Sequence, residues 1–106
     1  MTASIVSQLE NYRNTLDWVF HALADPTRRS AIQYLTHRPS SVTKLAEPFD
    51  MALPSFINHI SLLENPGLIS WNKTGRVRIC EIKPEQLTAA ERWINTQATL
   101  WQGGWK

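Results

Sequence analysis

Cysteine is nearly absent: Cys80 stands alone among 106 residues, so no internal disulfide can form. No Cys-x-x-Cys pair and no cluster of cysteine and histidine offers a structural zinc site, so neither a metal nor any other cofactor is expected. Long apolar runs are missing too, and none approaches the roughly 20 residues of a membrane-spanning helix. The opening MTASIVSQLENYR lacks the basic-then-apolar order of a signal peptide, so a cytoplasmic protein without a membrane partner is expected. Catalytic groupings are equally lacking. His21, His37 and His59 fall on three different predicted helices, and no Asp or Glu is paired with them as an orienting residue, so an enzyme is not expected.

A chain of 106 residues is enough for one domain over 1–106, burying about 65% of its unfolded surface. The net charge is only +2, but its distribution is uneven. Residues 26–46 carry Arg28, Arg29, Arg38 and Lys44 with no acid, and residues 65–80 carry Lys73, Arg76 and Arg78, again with no acid. Brought together, these stretches would form a basic face suited to phosphate, because neutralising phosphates releases counterions. Solvated surface charge explains them equally well at this point.

Periodicity divides the chain into helices and one hairpin. Ile5, Leu9, Tyr12, Leu16, Val19 or Phe20, and Leu23 step by threes and fours, which predicts one long first helix within 1–24. Asp25 as N-cap and Pro26 at the first helical position predict a second helix, with Ala31, Ile32 and Leu35 facing inward and HRPSS ending it. Ser41 can cap a short third helix, with Val42, Leu45, Ala46 and Phe49 on one face. A tight turn then leads to LPSFINHISLLENPGL, a helix that opens on Pro54 and carries no lysine or arginine. The pattern over 41–65 is helix, turn, helix.

After Gly67 the period changes. LISWNK and RVRICEI are rich in β-branched and aromatic residues around Lys73, Thr74 and Gly75, which predicts a two-stranded hairpin over 68–82 with a basic tip. Pro84 opens a last helix over 84–106, where Leu87, Ala90, Ile94, Gln97 or Ala98, Trp101 and Trp105 form an apolar seam. The expected fold is mainly α with a small β-hairpin: a winged helix-turn-helix of about five helices and a two-stranded wing.

Three segments in this order, VFHALADPTRRSAIQYL, KLAEPFDMALPSFINHISLLENPGLI and KTGRVRICEIKPEQL, resemble the ArsR-type family of winged-helix transcriptional regulators. The resemblance covers residues 16 to about 101 and is closest to the branch in which AEPFDM precedes a proline-opened recognition helix. It implies a homodimer that binds double-stranded operator DNA and usually represses, with the recognition helix over 54–65 in the major groove. The family's metal ligands do not carry over, since SVTKLAEPF has no cysteine and the last helix has no histidine.

At about 100° per residue, Phe56, Ile60 and Leu63 share one face of the recognition helix. Pro54, Asn58, Ser61 and Asn65 lie opposite, Ser55 and Leu62 on one shoulder, Ile57 on the other, and His59 at the border. Such helices touch bases with their first turns, so Ser55 and Asn58 are the leading contacts, with Pro54, His59 and Ser61 beside them. An asparagine amide can hold adenine by two hydrogen bonds, although for Asn58 an ordinary exposed helix residue remains the alternative. For His59, a phosphate contact competes with a structural hydrogen bond. Phosphates fall to Lys44, Lys73, Thr74, Arg76 and Arg78. In the family the pair Arg28 and Arg29 opens the second helix, where at least one can be tied up within the molecule, for instance by Asp25.

The resemblance also exposes departures. Ala52 stands where a capping serine is common, Asn58 where a basic residue is frequent, and Ile57 where a small polar residue is usual, which leaves either weaker binding or an A·T-rich operator open. The apolar seams of the outer helices are read as a dimer interface, through Leu9, Tyr12 and Leu16 with Ile94, Trp101 and Trp105. Packing of Leu87, Trp93 and Ile94 on the winged domain is the competing reading. Beside the DNA-binding regulator stand two alternatives: a winged-helix module for protein interaction or dimerisation, and a redox-responsive regulator acting through Cys80. The second would need an exposed thiol with a lowered pKa. No effector can be named.

Overall fold

Prolines and capping side chains set where the helices begin. In the computed structural model, which describes residues 15–104, α1 comprises 15–23 and α2 spans Pro26–His37. There follow β1 Ser40–Ser41, α3 Val42–Ala46, α4 Leu53–Glu64, β2 Ile69–Thr74, β3 Val77–Ile82 and α5 Pro84–Gly104. The expected apolar positions Ile5, Leu9, Tyr12 and Trp105 lie outside the described residues. Asp25 caps α2 through Oδ2, which accepts from the Arg28 backbone N–H at 3.0 Å. Ser41 does the same for α3, accepting from the Lys44 N–H at 3.2 Å.

Helix α4 starts without such help. Ala52 holds the extended backbone of an N-cap (φ −64°, ψ 144°) but offers no side-chain bond, and the lost cap is partly offset by Pro54, which removes one unsatisfied N–H from the first turn. Its other end is closed firmly. Gly67, at φ +79°, lets the chain turn back, so that Leu68 N–H reaches the Leu63 carbonyl at 3.0 Å and Gly67 N–H reaches that of Glu64 at 2.9 Å. This is the Schellman pattern, with Leu63 and Leu68 both fully buried beside it.

The core gathers one face from each element. Phe56, Ile60 and Leu63 of α4 are completely buried among Val19 and Ala22 of α1, Ala31, Ile32 and Leu35 of α2, Val42 and Leu45 of α3, and Ile69 and Cys80 of the sheet. The Phe56 ring lies 4.9 Å from that of Phe49, which in turn meets the edge of Tyr34 at 6.3 Å, so the turn before α4 is pinned by aromatics. The expected inner face of the recognition helix is therefore the observed one.

Three details are added or corrected. The two-stranded hairpin is present as β2 and β3, and a third strand joins it: β1 pairs antiparallel with β3, Ser40 opposite Cys80 and Ser41 opposite Ile79, giving the order β1-β3-β2. HRPSS thus ends a helix and also supplies a strand. Leu16, assigned to the subunit interface, is only 8% exposed and belongs to this subunit's own core. Along α5, Leu87 and Ala90 pack on the core and Trp93 meets the edge of Phe20 at 5.7 Å, while Ile94 stays half exposed. Leu87 and Trp93 thus follow the core-packing reading, and Ile94 does not.

Supplying the missing cap should stabilise the protein. Ala52→Ser is expected to add about 1 kcal/mol, read as a higher urea midpoint with an unchanged slope.

Candidate nucleic-acid interface

With its apolar back buried, α4 presents Pro54, Ser55, Asn58 and Ser61 to solvent. The helix holds no lysine or arginine and its one acid, Glu64, is exposed at its last turn away from these four residues, so the face they form is polar and uncharged. The Ser61 hydroxyl donates to the Ile57 carbonyl at 2.9 Å, leaving its oxygen free to accept. Ile57 packs partly against the core, which withdraws part of it from any thymine methyl.

Two elements packed against α4, namely α3 and β2, carry exposed cations. Lys73 and Arg78 are exposed and sit directly opposite each other in the β2–β3 ladder. Like charges across a strand pair are destabilising, so the wing carries a repulsion that an anion would relieve. Arg78 is held by its neighbour Trp71, its guanidinium carbon lying 5.7 Å from the ring centroid. At the tip only Gly75 has positive φ (+64°), the arrangement of a two-residue type II′ turn that leaves Thr74 and Arg76 exposed. Lys44, exposed on α3, shares with Arg38 an open groove of about 550 Å³. In the sequence Arg38 is one member of a basic stretch, and its place beside Lys44 adds a cation to the candidate surface.

Arg28 and Arg29 do something else. The last carbonyls of α1 have no partners within the helix and carry its partial negative charge. Arg28 donates from Nε to the Ala22 carbonyl at 2.7 Å and from Nη2 to that of His21 at 3.2 Å, and Arg29 donates from Nη1 to that of Leu23 at 2.9 Å. Arg28 is only 7% exposed. It leaves the basic face and becomes a C-terminal clamp on α1. Its remaining nitrogen, Nη1, lies 3.3 Å from Nδ1 of His59 on α4.

Asp25 completes this cluster. Its Oδ2 sits 3.6 Å from His59 Nδ1, and it binds Arg28 through the backbone N–H. Burial raises the Asp25 carboxyl, but the Arg28 N–H, the Arg28 guanidinium and His59 outweigh it, leaving the group below its usual value. His59 therefore makes the structural contact that was the alternative to a phosphate contact.

A solved ArsR family transcriptional regulator is 49% identical, superposes with a TM-score of 0.81, and is matched over 86% of this chain and 94% of its own. This chain belongs to the ArsR family of transcriptional regulators. The HTH-type transcriptional regulator Rv2034 of Mycobacterium tuberculosis is 31% identical over 81 residues, 76% of this chain and 75% of its own. The transcriptional repressor SdpR of Bacillus subtilis is 28% identical over 76 residues, 72% of this chain and 84% of its own. No family model matches the chain. No described helix is long and apolar enough to cross a membrane.

For an ArsR-family regulator controlled by oxidation of Cys80, the thiol would have to be reachable and ionised. It is fully buried in β3, and desolvation, opposed by Arg78 and reinforced by Glu64, pushes it up to about 12. A thiol raised this far stays protonated at neutral pH, and the thiolate is the reactive form. The native protein at pH 8 should resist a thiol-alkylating reagent for as long as it remains folded and react within minutes in denaturant, as followed by mass spectrometry.

Proposed function

We propose that this ArsR-family protein is a cytoplasmic, homodimeric repressor that binds double-stranded operator DNA at its own or an adjacent operon. The observation that carries the reading is the make-up of α4. A helix whose apolar back is fully buried offers an uncharged polar face, and two elements packed against it, α3 and β2, carry the exposed cations Lys44 and Lys73. Such a face suits base edges, which are read by hydrogen bonds, while the cations suit phosphates, which are held by charge.

Ser55 and Asn58, on the exposed first turns of α4, are assigned to bases, with Pro54, His59 and Ser61 at the edge of the contact. Lys44 on α3, and Lys73, Thr74, Arg76 and Arg78 in the wing, are assigned to the phosphate backbone. Arg38 joins them.

The dimer is assigned to the outer helices. Beyond Ala90, every residue from 91 to 103 of α5 is exposed, including Ile94 at 50%, Leu100 at 62% and Trp101 at 64%. Aromatic and aliphatic surface of this extent, on a helix running past the core that covers its first turns, suits a second copy of the same chain. Ile94 and Trp101, with Trp105 and with Leu9 and Tyr12 of the first segment, are the proposed contacts. Leu16 is left to the core. Repression is favoured over activation by the likeness to SdpR, which is a repressor.

A salt titration of binding to the DNA upstream of the chain's own coding sequence tests this reading. The observed binding constant should fall linearly with salt on logarithmic axes, and replacing Lys73, Arg76 and Arg78 together by alanine, which removes six phosphate contacts from the dimer, should flatten the slope by about 5. No binding even at low salt, or an affinity indifferent to salt, would leave a protein-interaction module as the better account.

A further inference from the structure

The Arg28–His59 contact joins the end of α1 to the helix assigned to DNA. A guanidinium has donors and no acceptor, so in the 3.3 Å contact Nη1–H donates and Nδ1 of His59 accepts with its lone pair. The imidazole hydrogen then resides on Nε2. When the ring is protonated, Nδ1–H faces Asp25 Oδ2 at 3.6 Å, and Nε2 again carries hydrogen. In both states the inward nitrogen is engaged and the outward one is a donor. The His59 side chain is 33% exposed, at the border of the α4 polar face.

We infer that Arg28 is a positioning residue for DNA binding: it fixes His59 in the Nε2–H form and so aims a hydrogen-bond donor at a phosphate oxygen of the operator. This rests on the reading that α4 lies against DNA. Arg28 itself, 7% exposed and bonded to the carbonyls of His21 and Ala22, does not touch the nucleic acid. Its effect on binding passes through His59. Because the same guanidinium grips the last carbonyls of α1, the position of that helix and the donor on α4 are set by one group.

Two conservative substitutions separate the ring nitrogens. In His59→Gln the amide nitrogen takes the place of Nε2 and keeps the outward donor. In His59→Asn the shorter amide reaches only the place of Nδ1. Binding to the protein's own upstream DNA should change less than about twofold in the first variant and fall by about tenfold in the second, the worth of a hydrogen bond to a charged group. Equal affinities for the two variants would overturn the inference while leaving the regulator intact. Failure of the wild-type protein to bind would instead remove the reading beneath it.

Nitrogen-15 NMR of the free protein reads the ring directly. The neutral His59 ring should carry its hydrogen on Nε2, and a hydrogen on Nδ1 would contradict the inference. Arg28→Lys, which cannot reach the same set of acceptors, should weaken DNA binding, and combined with His59→Asn it should be no worse than His59→Asn alone. Additive losses would mean that Arg28 acts on binding by another route. Should Arg28→Lys fail to fold, the two His59 variants and the tautomer decide the matter.

Discussion

A buried guanidinium must find acceptors for its hydrogens, since an unpaired charge in the interior would cost several kcal/mol. Arg28 finds them at the carbonyl end of α1 and on the α4 imidazole, and its own backbone N–H is taken by the cap of α2. Three helices therefore meet at one residue. The carbonyls need donors, the guanidinium needs acceptors, and Asp25 supplies negative charge close by. Each group satisfies another, which fixes how α4 sits on α1 and α2 more narrowly than apolar contact alone would.

The apolar side of α4 complements that polar clamp. Phe56, Ile60 and Leu63 fill the core from one face, and the Schellman turn at Gly67 aims the chain into the sheet. With its back so held, the exposed face is free to be small and uncharged. Positive charge is moved to Lys44 and to the wing, where Lys73 and Arg78 repel each other across the ladder. Strength of binding and choice of sequence are thus assigned to different elements, and the departures at Ala52 and Asn58 bear on the second more than on the first.

Much of this was legible in the residues because its signals are local. Pro26, Pro54 and Pro84 announce helix starts through their missing N–H, and the change of period after Gly67 announces the hairpin. The face of α4 follows from spacing alone. The features that were missed depend on distant partners. A strand of two residues, Ser40 and Ser41, has no period to detect, and only β3 makes it a strand. Arg28 reads as one more cation until α1 is placed against it. A signal did exist: two arginines one turn into a helix that follows another closely stand near carbonyls in need of donors. For Leu16, an apolar stripe says that a side chain leaves water, without saying whether its own core or a partner receives it.

The proposed function requires two copies of α4 to read DNA together, held apart by the outer helices. Hydroxyl-radical footprinting over the protein's own upstream region tests that most directly. Two symmetric protected half-sites in an inverted repeat, with centres about 34 to 36 Å apart along one face of the duplex, are the predicted result. A single protected half-site at saturation, or uniform protection without sequence boundaries, would contradict it.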